Sequence, residues 1–316
     1  EELIPQALRS KKDKKAKTFN PTITKPLVTE VSAPYAPTNG LQNRHIALWQ
    51  SHGYYYEPKL TRWEWQRARI FQTVEDLYTQ SYVLPFLVPM LENAGAYVLM
   101  PRERDTRTEE IIIDNDGCLN NQSIYTEKIA DKVWMQGKGN GFAHLRNQYI
   151  DFENPFNEGT FRTIETIKKG KESTAEWIPE IPETGQYAVY VSYRTLPNST
   201  DDALYTVYHK GGVTQYKVNQ QMGGGTWIYL GTFGFNAGKS DECKVTLSNL
   251  SSKAGQVVTA DAVKIGGGMG NIARCISSEG ATENLKSSDT QNLKGEGSAA
   301  NSSFFILHSS FKPEVS

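Results

Sequence analysis

From residue 134 to residue 268, apolar and polar positions alternate with a period of two. The segments "STAEWIPEI", "GQYAVYVSYR", "ALYTVYHKGG", "VTQYKVNQ", "TWIYLGTFGF", "CKVTLSNL" and "VVTADAVKIG" are short and rich in Val, Tyr and Thr. Such side chains suit a pleated surface buried on one face. Turn clusters at Pro182 to Gly185, Gly223 to Gly225 and Ala237 to Ser240 separate them. The pattern predicts an all-β, antiparallel sandwich of jelly-roll type.

Upstream the period changes. "RHIALWQSHG" reads as a short apolar strand, and Ile70, Phe71, Val74, Leu77 and Tyr78 then recur at helical spacing. "PFLVPMLENAG" carries that pattern through Pro85 and Pro89 to a stop at Gly95, and "AYVLMPRERD" reads as a second buried strand. Strand, helix and strand in this order predict a βαβ unit with a parallel pair, hence an α/β portion. Residues 1–40 carry Pro5, Pro21, Pro26, Pro34 and Pro37 in polar sequence and read as an extended leader lying along the surface of the folded portions. The expected organisation is therefore leader 1–40, α/β portion 41–120, sandwich 121–268 and tail 269–316. The tail is of low complexity, with one candidate strand in "SFFILHSSF".

Composition narrows the classes. With 316 residues there is room for about two domains. Lys plus Arg number 34 against 35 Asp plus Glu, a net charge of -1, and no basic stripe interleaves with aromatics, so nucleic acid is not an expected partner. "RSKKDKKAK" at 9–17 reads as part of the solvated leader. No apolar run reaches the length of a membrane-spanning helix. The start at Glu1 suggests a mature form from which a signal peptide has been removed. Cys118, Cys243 and Cys275 show no CxxC spacing, which argues against a disulfide framework and against a thiolate zinc site.

Candidate chemistry clusters in the α/β portion. In "IALWQSHGYYYEPKLTRWEWQR", His52 follows the first strand, at the rim where α/β folds hold ligands. By itself a histidine there reads as a hydrogen-bonded loop residue. Glu75 and Asp76 lie on the helix, and Arg102 and Asp105 end the second strand. The stretch 43–107 resembles the family-3-type zinc N-acetylmuramoyl-L-alanine amidases: "QSHG" matches their Gly-His-Gly-like strand end with Ser51 in place of Gly, Glu75 opens the helix that Gly95 closes, and "PRERD" matches their Thr-Arg-x-x-Asp with Pro101 in place of Thr. The resemblance implies zinc held by His52 and Glu75, with Arg102 and Asp105 supporting the site, and a water activated to attack a peptidoglycan amide. Zinc hydrolysis asks for three protein ligands and an open position. For the third ligand and the base the sequence offers only His308 and Glu314; His45, His144 and His209 lie in a strand start, a Gly-rich loop and a hairpin. The expectation is a truncated or inactive member of that family.

Residues 125–266 carry a second resemblance, to the golvesin or xanthan-lyase carbohydrate-binding-like domain. It rests on "WIPEIPETGQYAVYVSYRTLPNSTDDALYTVYHKGG", "NQQMGGGTWIYLGTFGFNAG" and "ADAVKIG". It implies an accessory module for which sugar binding is presumed, with Trp177 and Trp227 available either for core packing or for stacking on a sugar. The alternative function is therefore the carbohydrate-binding accessory module of a xanthan lyase-like protein. Lyase chemistry itself finds no assembled His, Tyr and Arg trio in the sequence. Both resemblances imply peptidoglycan or another polysaccharide as partner, and a secreted, periplasmic or cell-surface location in a bacterium.

Overall fold

The computed structural model describes residues 25–35, 37, 40–50, 53–57, 59–60, 62–67, 69–71, 73–100, 104, 109–118, 122–145, 148–150, 153–267 and 272–274. Along the chain the main elements are β1 (Val28–Glu30), β2 (His45–Ala47), α1 (Glu75–Tyr82), α2 (Val88–Asn93), β3 (Tyr97–Leu99), β4 (Glu110–Asp114) and β5 (Ile124–Lys128). They continue with β6 (Met135–Gln136), β7 (Arg162–Glu165), β8 (Thr174–Ile178), β9 (Gly185–Val191), β10 (Ala203–His209) and β11 (Gly212–Val218). The last are β12 (Ile228–Phe235), β13 (Lys244–Ser248), β14 (Val257–Ala260) and β15 (Ala262–Gly266).

Three antiparallel sheets build the sandwich. Their strand orders are β1-β11-β10-β13-β8-β5, β12-β9-β15-β4 and β6-β7-β14. Alternation explains which side chains meet between the two larger sheets: Tyr187, Val189 and Val191 of β9 point inward, as do Ala203, Tyr205 and Val207 of β10. In β12 the inward residues are Ile228 and Leu230, then Phe233 and Phe235, a break in the period of two. A bulge opposite Val189 and Tyr190 absorbs the extra residue and restores the inward phase. At Asp261 the chain passes from the third sheet to the second with no turn between β14 and β15.

Two parts of the chain sit differently from expectation. Within the leader, β1 is an edge strand of the six-stranded sheet, with Val28 opposite Val218, and Leu27 is buried in the sandwich core. From the span assigned to the α/β portion, β4 is instead the edge strand of the four-stranded sheet, with Ile111 and Ile113 in the core. The described structure is thus mostly antiparallel β-sheet.

The α/β portion is small. β2 and β3 pair in parallel, His45 opposite Tyr97, and the helical segment lies between them in the chain. Pro85 and Pro89 each lack the N–H an α-helix would use, and between α1 and α2 the backbone widens to a π-turn at Val83–Leu87, with the Val88 N–H bonding to Val83 O. Gly95 closes α2 at φ 95°, where a Cβ would lie 2.8 Å from the Pro37 ring. The Gly95 N–H bonds to Glu92 O and the Ala96 N–H to Leu91 O, a Schellman ending. Val83, Val88, Ala96 and Val98 form the buried core of this portion. Between residues 54 and 65 a hairpin, Tyr54–Glu57 with Arg62–Trp65, separates β2 from α1.

Candidate functional site

At one edge of the sandwich, edge strand β5 of the six-stranded sheet approaches the turn that follows edge strand β4 of the four-stranded sheet. Strands β6 and β7 close the third side. A groove of about 390 Å³ opens there, lined by Asn115 and Asp116 from the turn, Tyr125, Thr126 and Glu127 from β5, Gln136 from β6, and Thr160 and Arg162 at the start of β7. Every lining side chain carries a hydrogen-bonding group, and Tyr125 adds a ring.

The pieces are held in place by one another. Tyr125 and Glu127 lie two apart on β5 and so share a face. The Tyr125 hydroxyl donates to Glu127 Oε1 at 2.8 Å, and its ring sits 5.5 Å from that of Trp177, which anchors it to the core. Arg162 Nε donates to Glu127 Oε1 at 2.6 Å and its Nη2 to Oε2 at 3.0 Å, a bidentate pair. The same Nη2 reaches Trp134 O at 3.3 Å. Across the groove Asn115 Nδ2 donates to Thr160 Oγ1 at 2.9 Å, and the Asp116 carboxylate accepts from both the backbone N–H and the hydroxyl of Thr160.

The ionisation states follow from these contacts. Burial, reinforced by the Glu127 carboxylate, pushes the Tyr125 phenol above its ordinary value. The Glu127 carboxylate, through its hydrogen bonds, holds the Arg162 guanidinium charged. Behind the groove wall Asp114 is pushed up to about 9 by burial, with the neighbouring Asp261 and Asp116 carboxylates adding to it. Asp261 is pushed up to about 8, again chiefly by burial. Asp261 accepts the Phe142 N–H at 3.1 Å, whereas Asp114 Oδ1 is buried without a hydrogen-bond partner.

The residues singled out in the sequence fall elsewhere. Glu75 is the first residue of α1 and is exposed; its neighbour Asp76 is buried and accepts the Arg67 N–H at 3.0 Å. His52, Arg102, Asp105, His308 and Glu314 lie outside the described residues. No group of three His, Cys, Asp or Glu side chains able to hold a metal ion exists among the described residues, so these offer no fit for zinc. Trp177 requires a correction: it is fully buried between the sheets, near Tyr205, and its Nε1 donates to Asp261 O at 3.2 Å, so no ring face is open to a sugar. Trp227 is half-buried, its ring centroid 4.9 Å from that of Phe142 and 5.5 Å from that of Phe156, with Lys264 Nζ 5.3 Å from the ring. Its packing partners hold it in a small cluster with Ile112, Phe142, Phe156 and Ala262 rather than as a free platform.

Sequence reasoning missed the groove. The alternation in "IYTEK" places Tyr125 and Glu127 on one face, but the partner Arg162 lies 35 residues further on. Only the pairing of distant strands brings them together.

The fold and groove define an antiparallel β-sandwich module with a polar cleft at its edge. Residues 153–267 match the Golvesin C-terminal domain. The chain is 38% identical over 96 residues to the xanthan lyase of Bacillus sp. (strain GL1), a match covering 30% of this chain and 10% of that protein. It thus spans about a tenth of the length of that curated relative. Among solved structures, a Paenibacillus xanthan lyase overlaps 50% of this chain and 13% of its own, at 26% identity and a TM-score of 0.35. A family 22 carbohydrate binding module of Clostridium thermocellum overlaps 49% of this chain and 91% of its own, at 10% identity and a TM-score of 0.25. No helix among the described residues is long and apolar enough to cross a membrane.

Proposed function

We propose that the sandwich is a polysaccharide-binding accessory module of a protein that works on glycans outside the cell. The groove carries this reading: it is the size of a ligand cleft, and it presents carboxylate, amide, hydroxyl and guanidinium groups around a partly buried tyrosine. Hydroxyl-rich chains are recognised by such planar, oriented donors and acceptors. The match of residues 153–267 to the Golvesin C-terminal domain and the local identity to a xanthan lyase support an accessory role. Binding suits the groove better than catalysis, because the Tyr125 phenol holds its proton tightly and Glu127 is tied to Arg162.

Electrophoresis of the full chain through native gels containing soluble polysaccharides tests the proposal. Retardation by at least one glycan, lost in Arg162→Ala and weakened in Gln136→Ala, is expected. Unchanged mobility across a broad glycan panel would refute it.

A second reading concerns residues 41–120. The parallel pairing of β2 with β3, around a helical segment closed by Gly95, is compatible with descent from the zinc amidases that the sequence of residues 43–107 resembles. In that reading His52 and Glu75 are the two remaining members of a metal site that asks for three protein ligands, and the portion is a truncated or inactive amidase relative. A metal-free, inert protein is expected; stoichiometric zinc in the purified protein, and stem peptides released from peptidoglycan by the wild type but not by His52→Ala, would overturn it.

A further inference from the structure

The charges in the groove choose among glycans. Its ionised side chains are Asp116, Glu127 and Arg162, which leaves one net negative charge. The single cation is already engaged. Of the five N–H donors of a guanidinium, Arg162 gives Nε and Nη2 to Glu127 and Nη2 also to Trp134 O, so only Nη1 is left for a ligand. A ligand carboxylate therefore finds no fork to grip and must approach two fixed carboxylates of its own sign. Hydroxyl groups meet the opposite situation. Glu127 Oε2 accepts one bond from Arg162 and Asp116 Oδ2 one from the Thr160 N–H, so each keeps a lone pair for an O–H donor.

We infer that the groove selects neutral, hydroxyl-rich glycan chains and rejects chains bearing carboxylates at the bound residues. This rests on the polysaccharide-binding reading and refines it.

The test compares matched pairs of polysaccharides in native gels and by calorimetry, each neutral glucan, mannan and xylan against its carboxymethylated form, with the full chain. The wild type should bind a neutral form at least about tenfold more tightly than its carboxymethylated partner. Replacing Glu127→Gln frees the guanidinium fork and should raise affinity for the carboxymethylated form about tenfold or more. Asp116→Asn keeps an acceptor for Thr160 and should narrow the preference in the same direction; thermal melts confirm that both variants fold, and either one suffices. Equal or tighter binding of the acidic forms by the wild type would overturn the inference and leave polysaccharide binding standing. So would a preference untouched in both variants, since the groove would then not be what reads the charge. Absence of binding to any pair would take down the polysaccharide reading and this refinement with it.

Discussion

The sandwich and the α/β portion between residues 41 and 100 share one chain but not one standard of packing. Between its sheets the sandwich buries Trp177, Tyr187, Tyr193, Tyr205 and Phe235 completely, and some of its buried polar groups share hydrogen-bond networks. In one of these, burial works against the charge of Asp202, but hydrogen bonds from Ser251, Ser252 and Thr200 outweigh it and hold the carboxyl down at about 2. The α/β portion has a core of four buried apolar residues, while Tyr78, Phe86 and Met90 of its helical segment are more than half exposed. Contacts to the sandwich brace it: the Tyr97 hydroxyl donates to Tyr229 O, and the Arg104 guanidinium lies 3.9 Å above the Tyr229 ring. The lesson is that stability resides in the sandwich, and the smaller portion leans on it.

Four substitutions probe that contrast. Trp177→Ala empties the centre of the larger core and should cost about 4 kcal/mol, collapsing the main melting transition. Asp202→Ala leaves Thr200, Ser251 and the Ser252 N–H without their shared acceptor, and should cost about 3 kcal/mol at neutral pH in denaturant titration. Because the folded Asp202 lies below its ordinary value, its contribution is full above about pH 4. It fades as the pH falls through about 2, where mutant and wild type should converge. Val98→Ala, in the smaller core, should cost about 2 kcal/mol locally. Faster amide exchange at Tyr97 to Leu99 with an unchanged main transition would sharpen the comparison; a large drop in that transition would break it.

The fourth substitution, at Asp114, is read through pH rather than at a single condition. Its folded value lies above the unfolded one, so the folded protein holds a proton that the unfolded chain releases. Stability from this group is therefore greatest below about pH 4 and declines as the pH rises towards 9. Asp114→Asn removes that dependence, so its stability relative to the wild type should rise steadily from pH 4 to pH 8, with little difference at pH 4, in melts across the pH range.

Much of the sandwich was legible in the sequence because a period of two announces a half-buried strand locally. The helix stop at Gly95 was legible for a similar reason, since a glycine at positive φ acts within its own turn. What escaped depended on distance along the chain. Val28–Glu30 looks like leader until it finds the free edge of β11. Glu110–Asp114 falls within the span assigned to the α/β portion and shows its allegiance only by pairing with β15, some 150 residues later. The groove shares this limit, because Asp116, Glu127 and Arg162 converge from three separate elements and no one of them forms a motif. Trp177 shows the converse: an aromatic in a strand reads alike whether it faces a core or a sugar, and only the second sheet decides.

Backbone amide spectra of the isotope-labelled chain, recorded while a retained neutral polysaccharide fragment is titrated in, test the central claim most directly. The account predicts that the shifts concentrate at Asn115, Asp116, Thr126, Glu127, Gln136, Thr160 and Arg162, the amides around the edge groove of the sandwich. Shifts confined to residues 41–100, or to the face around Trp227, with the groove amides unmoved, would contradict it.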